Sequence, residues 1–154
     1  MMLPGTVGRP MEILLVEDDL LQSHLALEAI RLANFRHRTS LVCDGQEALD
    51  FLFRRGVFRR VPRPDLILLD LRLPGMDGLD VLAEIKVDDE LSSIPVVIMT
   101  SSQDEGDRLA CERHAVEGYL TKPLDLERFY ALLRQLKRFW HQDMILPPAV
   151  TNSA

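Results

Sequence analysis

Cysteine is scarce in this chain: Cys43 and Cys111 are the only two among 154 residues. Two are too few for the disulfide framework of a small secreted domain, so a reducing cytoplasmic setting is expected. No apolar run approaches the roughly 20 residues of a membrane span, and no membrane partner is expected. The opening stretch carries Pro4, Gly5, Gly8 and Pro10 but no apolar segment, which excludes a secretory signal and reads as a disordered lead over residues 1–10. Lysine is almost missing. Of 18 cationic residues 15 are arginine, and Lys86, Lys122 and Lys137 are the whole lysine complement. A lysine inside a motif therefore stands out from background. The net charge of −6 argues against nucleic acid as a partner, because such binding needs a basic face.

What remains is an ordinary globular composition, long enough for one sizeable core. Apolar runs at 13–16, 66–69, 94–99 and 118–120 are continuous rather than alternating, as expected of strands buried on both faces of a parallel sheet. A weaker strand is read at 39–43. Helical patterns fill the intervals at 20–33, 44–55, 77–86, 104–115 and 125–140. Asp44 and Glu47 have capping-box spacing at the start of the second, and Asp77 can cap the third. Five β-α units predict a doubly wound α/β fold with a five-stranded parallel sheet and five helices. In the order 2-1-3-4-5, the ligand crevice lies at the carboxyl ends of strands one and three. The domain is read as 11–140, followed by a tail over 141–154.

The polar residues collect at those carboxyl ends. Strand one ends in Glu17-Asp18-Asp19, strand three in Asp70, strand four in Thr100-Ser101-Ser102 and strand five in Thr121-Lys122-Pro123. Glu17, Asp18 and Asp70 brought together repel one another unless a cation sits among them. Hard oxygen ligands suit Mg²⁺ (or Mn²⁺), and Lys122 supplies a fixed positive charge. A metal, a lysine and the Thr100 hydroxyl converging on one aspartate make a phosphoryl-binding arrangement, with Asp70 as the nucleophile that forms an aspartyl phosphate. Asp19 reads as a helix cap rather than a ligand. His24, His37, His114 and His141 show no ligand spacing, and both cysteines read as small buried apolar residues.

These stretches resemble the receiver domain of two-component response regulators, which has a flavodoxin-like fold. The resemblance rests on Leu14-Leu15-Val16-Glu17-Asp18-Asp19, on Asp65-Leu66-Ile67-Leu68-Leu69-Asp70 followed by Leu73-Pro74-Gly75-Met76-Asp77-Gly78, on Ile94 to Thr100, and on Gly118-Tyr119-Leu120-Thr121-Lys122-Pro123. It covers about 11–139. Pro62 to Asp65 after a long loop, with Phe139-Trp140 and Leu146-Pro147 near the end, make it most similar to the single-domain regulators that accompany phytochromes. The resemblance implies that Asp70 accepts a phosphoryl group from a sensor histidine kinase. It implies that Asp18, Asp70 and the Arg72 backbone carbonyl bind the metal, with Glu17, where many receivers have Asp, acting through water. Lys122 and Thr100 would contact the phosphoryl group, Tyr119 would be the switch aromatic, and the Lys122-Pro123 peptide would be cis. Such a protein is a switch rather than a classical enzyme, although it assists its own phosphorylation and dephosphorylation.

Other functions fit less well. A flavodoxin-like electron carrier would place a Ser/Thr/Gly-rich phosphate loop where Glu17-Asp18-Asp19 stand. An aspartate-nucleophile phosphatase needs an acid two residues beyond Asp70, where this chain has Arg72. A receiver fold kept as an interaction module without phosphorylation is the remaining alternative. The 14 residues after Trp140 are too few for an output domain, so signalling is expected through contact with a downstream protein. Two further surfaces are expected. The stretch 54–64 holds five arginines and no acid, and reads either as a solvated loop or as a docking surface for an acidic partner. On helix five, Leu126, Phe129, Tyr130, Leu133, Leu136 and Trp140 share one arc, while Leu132 and Phe139 lie beyond it. That spare apolar width predicts a symmetric homodimer through Leu132 and Phe139.

Overall fold

The computed structural model describes residues 10–33, 35–101 and 105–135. Five strands, β1 (Met11–Val16), β2 (His37–Val42), β3 (Leu66–Asp70), β4 (Val96–Thr100) and β5 (Gly118–Thr121), form one parallel sheet in the order β2-β1-β3-β4-β5. The helices are α1 (Leu20–Arg31), α2 (Gly45–Leu52), α3 (Gly78–Val87), α4 (Glu105–Arg113) and α5 (Leu126–Gln135). The doubly wound expectation holds, strand order included.

The continuous apolar runs serve two cores at once. Leu14, Val16, Val42, Ile67, Leu69, Val96 and Ile98 face α2 and α3, where Leu49, Phe51, Val81, Leu82 and Ile85 close over them. Met11, Ile13, Leu15, Leu66, Leu68, Val97 and Met99 face α1 and α5, under Ala26, Ile30, Phe129 and Leu133. Every residue of β1, β3 and β4 is buried, so these strands have no solvent face to alternate toward. α4 contributes only Cys111 to the buried set, in keeping with its weak periodicity.

Local signals set the helix ends. Asp19 caps α1 by accepting from the Gln22 N–H, and Asp44 caps α2 by accepting from the Glu47 N–H. Glu47 answers by accepting from the Cys43 N–H, one residue before the cap. Asp77 stands at the N-cap of α3, but its side chain makes no capping bond there. α2 stops at Leu52, short of the expected 55, because Arg54 turns the chain with φ +57° and Gly56 follows at +60°. Cys43 is exposed beside that cap, contrary to the buried role expected of it; Cys111 is buried as expected.

Leu132 also departs from its expected place. It lies inside the α5 core face, because β5 presents Gly118 there and leaves room for a branched side chain: a Cβ on Gly118 would stand 2.6 Å from Leu132 Cδ1. The apolar width of α5 is thus used up in part by the sheet edge itself. Phe139, Leu136 and Trp140 lie outside the described residues. Leu132→Ala should therefore cost about 2–5 kcal/mol in urea unfolding, as truncation of a packed leucine does. A cost under about 0.5 kcal/mol would return Leu132 to the surface.

Candidate functional site

The carboxyl edge of the sheet gathers the residues that the sequence places there. Parallel strands β1, β3, β4 and β5 end on one side, and Glu17, Asp18, Asp70, Arg72, Ser101 and Lys122 line an open cleft of about 250 Å³. Glu17, Asp70 and Thr100 are almost wholly buried, at 2%, 5% and 1% exposure, while Asp18 stands exposed at the rim. One carboxylate oxygen from each of Glu17, Asp18 and Asp70 lies within 4.8 Å of the others.

Lys122 is the counter-charge. Its Nζ is 2.5 Å from Glu17 Oε1 and 3.2 Å from Asp70 Oδ2, with both partners buried. Burial pushes the Glu17 carboxyl above the ordinary glutamate range; the hydrogen bond from Lys122 opposes that rise, and the neighbouring Asp70 charge adds to it. Glu17 Oε2 also accepts the Asp19 N–H at 3.2 Å, which ties the carboxylate to the start of α1. The Arg72 N–H donates to Asp70 Oδ1 at 3.3 Å, fixing one oxygen of that carboxylate from its own loop.

The loop after β3 is held by a close approach. A Cβ on Gly78 would fall 2.3 Å from the Asp70 carbonyl oxygen and 2.7 Å from Leu71 Cα, so α3 can start this near the site only with glycine there. The Lys122-Pro123 peptide is cis. Tyr119 is half-buried at the sheet edge, with the Arg108 guanidinium 5.9 Å from its ring centroid. Ser102 lies outside the described residues.

One contact beside the cleft gave no sequence signal. The Arg72 guanidinium pairs with Asp107 on α4, across 35 positions of chain, and so links the loop after β3 to that helix. Only the fold brings these two together.

Three hard carboxylates against one ammonium leave an excess of negative charge, which is the donor chemistry that a divalent cation satisfies. Asp18 and Asp70 would hold it, with Glu17 behind them already engaged by Lys122. Such an ion supplies charge neutralisation for an incoming anionic group.

The family model for the response regulator receiver domain matches residues 13–134. The chain belongs to that family. It is similar to the response regulator Rcp1 of Synechocystis sp., at 41% identity over 140 residues, covering 91% of this chain and 95% of Rcp1. The crystal structure of the Mn²⁺-bound form of Rcp1 superposes with a TM-score of 0.72 at 40% identity, covering 90% of this chain and 99% of that one. The phosphorylated cyanobacterial phytochrome response regulator RcpA superposes with a TM-score of 0.74 at 38% identity, with coverage of 90% and 99%. The chain is thus a receiver domain whose relatives include phytochrome-associated regulators. Among the described residues no helix is long and apolar enough to cross a membrane.

A receiver that binds a divalent cation in this cleft gains stability with the ion. At a free Mg²⁺ concentration ten times Kd the gain should be about 1.4 kcal/mol, read as a rise in Tm. The rise should vanish in Asp18→Asn. An equal rise in that variant would place the ion elsewhere.

Proposed function

We propose that this receiver accepts a phosphoryl group on Asp70 from the phosphohistidine of a sensor histidine kinase of the phytochrome type. An Asp70 carboxylate oxygen forms the new O–P bond as the N–P bond to the donor imidazole breaks. The observation that carries the reading is the Asp70 carboxylate, buried at the sheet edge with Lys122 Nζ at 3.2 Å and the Glu17 and Asp18 oxygens within 4.8 Å. A cation-assisted nucleophile needs that setting, and a carboxylate kept only for structure does not.

The individual roles rest on the resemblance to the receiver family, and the places of the residues around the cleft support them. Mg²⁺ (or Mn²⁺) is held by Asp18, Asp70 and the Arg72 backbone carbonyl, with Glu17 acting through water. Lys122 exchanges part of its contact with Glu17 for a phosphoryl oxygen, and the Thr100 hydroxyl meets another. Tyr119 then turns inward from under Arg108 and carries the change to the β5–α5 edge, where a downstream protein reads it. The protein works in the cytoplasm. The competing reading, an interaction module indifferent to phosphorylation, gives no account of why four ionisable side chains converge in a half-buried cleft.

The proposed homodimer keeps the β5–α5 edge as its support, where Tyr119 remains partly exposed. Leu132 is engaged inside the subunit and offers little to a partner. Sedimentation at tens of micromolar tests it, and a protein that stays monomeric there removes it.

Incubation with acetyl phosphate and Mg²⁺ should load the wild type with one acid-labile phosphoryl group and leave Asp70→Asn unloaded with its fold intact. Loading of Asp70→Asn at the wild-type level would overturn the assignment. Lys122→Ala should also load poorly, because it removes the ammonium beside the acceptor. Arg72, at the cleft mouth, stands on the path of attacking water. Arg72→Ala should change the dephosphorylation rate by about threefold or more, equivalent to about 0.6 kcal/mol in the barrier, with Mg²⁺ affinity unchanged. Equal decay rates would remove Arg72 from that role.

A further inference from the structure

The end of the sheet opposite Asp70 carries a second charged surface. The chain leaves α2, turns through Gly56–Phe58 and enters β3 at Leu66, so the arginine-rich connection lies at the amino ends of the strands. It is anchored rather than loose. The Phe58 ring packs 5.4 Å from that of Phe51, and Asp65 holds β1 twice, its N–H donating to the Glu12 carbonyl at 2.7 Å and its Oδ2 accepting the Glu12 N–H at 2.8 Å.

The five arginines divide into two sets. Arg55 pairs with Asp50 and Arg63 with Glu90. Arg54, Arg59 and Arg60 are exposed, and their guanidinium groups have no ion pair or hydrogen bond among the described residues. Val57, between them in the chain, is 90% exposed. Beside this loop runs a groove of about 610 Å³, lined by Glu12, Arg38, Thr39, Ser40, Arg60 and Pro62. Glu12 is already taken by Arg38 at 2.8 Å, so the uncommitted charge in the groove is the positive charge of Arg60. Among the described residues Thr39 Oγ1 is buried without a hydrogen-bond partner, and β2, which supplies Arg38, Thr39 and Ser40, is an edge strand.

We propose that this groove is a docking site for an acidic protein segment, laid in extended form along the outer edge of β2 with its carboxylates against Arg60 and the neighbouring Arg59. An edge strand offers unpaired backbone groups to an added strand, and alternation then turns every second side chain of the visitor toward the same side. The uncommitted guanidinium groups fit carboxylates there, and the exposed Val57 offers apolar contact at the tip of the loop. A nucleic-acid backbone fits less well, because it needs a continuous run of uncommitted cations, and here Arg38, Arg55 and Arg63 are already paired with Glu12, Asp50 and Glu90. The groove and Asp70 lie at opposite ends of the strands. A segment bound here therefore does not compete with the phosphoryl donor, and the site stands apart from the function proposed above.

The test is a titration of the ¹⁵N-labelled full chain with the capped peptide Glu-Val-Glu-Val-Glu at low ionic strength, alongside its Gln-Val-Gln-Val-Gln analogue. Amide shifts confined to β2 and residues 54–64 are expected. Affinity should fall about tenfold for Arg59→Ser/Arg60→Ser and for the neutral peptide, which corresponds to about 1.4 kcal/mol. The spectrum of the double variant verifies its fold, acetyl phosphate uptake by it should be normal, and Asp70→Asn should bind the peptide as the wild type does. Absence of shifts, equal affinity of the double variant, or tighter binding of inorganic polyphosphate at the same amides would overturn the proposal. None of these results bears on phosphoryl uptake, which is measured separately in the same samples.

Discussion

The ammonium of Lys122 is the interaction on which the rest of the site depends. It touches Glu17 from β1 and Asp70 from β3, although its own strand, β5, stands three places from β1 in the sheet. Neighbouring strands lie about 4.8 Å apart, so the contact spans the width of the crevice and needs long side chains from both sides. This gives a physical reason for glutamate at position 17. Its additional methylene carries the carboxylate toward Lys122, where an aspartate would hold it back. Without that ammonium, two nearly dry carboxylates would face each other, and burial of an uncompensated charge is among the costliest defects a fold can carry.

Much of this was legible in the sequence, and for identifiable reasons. The runs at 13–16 and 66–69 announce doubly buried strands because nothing polar interrupts them, and the position of Asp70 immediately after such a run fixes which end of the sheet holds the chemistry. Asp19 and Asp44 are legible because caps act within three residues. Contacts between remote segments are not. Arg72 with Asp107, and Leu132 with Gly118, each join residues whose partner is set by how a helix rotates over the sheet, and helical periodicity gives the width of an apolar face without saying what fills it. The Gly118 gap is what moved Leu132 inward. Cys43 was misplaced for a related reason: it follows the last residue of β2, and the capping carboxylate of Glu47 holds its N–H at the surface.

The two ends of the sheet divide the labour of charge. At the carboxyl end acids outnumber bases, with Glu17 and Asp70 drawn inward and Asp18 at the rim, which suits capture of a cation and an anionic group together. At the amino end, arginines outnumber their partners and stay outside. Between the two, α4 buries one side chain, Cys111, takes an ion pair from Arg72 and lays Arg108 over Tyr119. A change at Asp70 has a short mechanical path to that helix, because the residue that touches Asp70 through its backbone touches α4 through its side chain.

The contrast between the two thiols has a practical side. Cys43 is open to solvent, whereas Cys111 is enclosed by α4 and the Tyr119 edge, and burial raises the pKa of both. A thiol reagent therefore meets two clocks in one molecule. Modification of Cys43 needs no opening of the fold, and its rate is set by the reagent and by the thiolate fraction that partial desolvation and the Glu47, Asp44 and Asp18 carboxylates leave it. Modification of Cys111, which has no exposed surface, requires local opening around it, so the ratio of the two rates, corrected for the two thiolate fractions, follows that opening without any label being engineered into the chain.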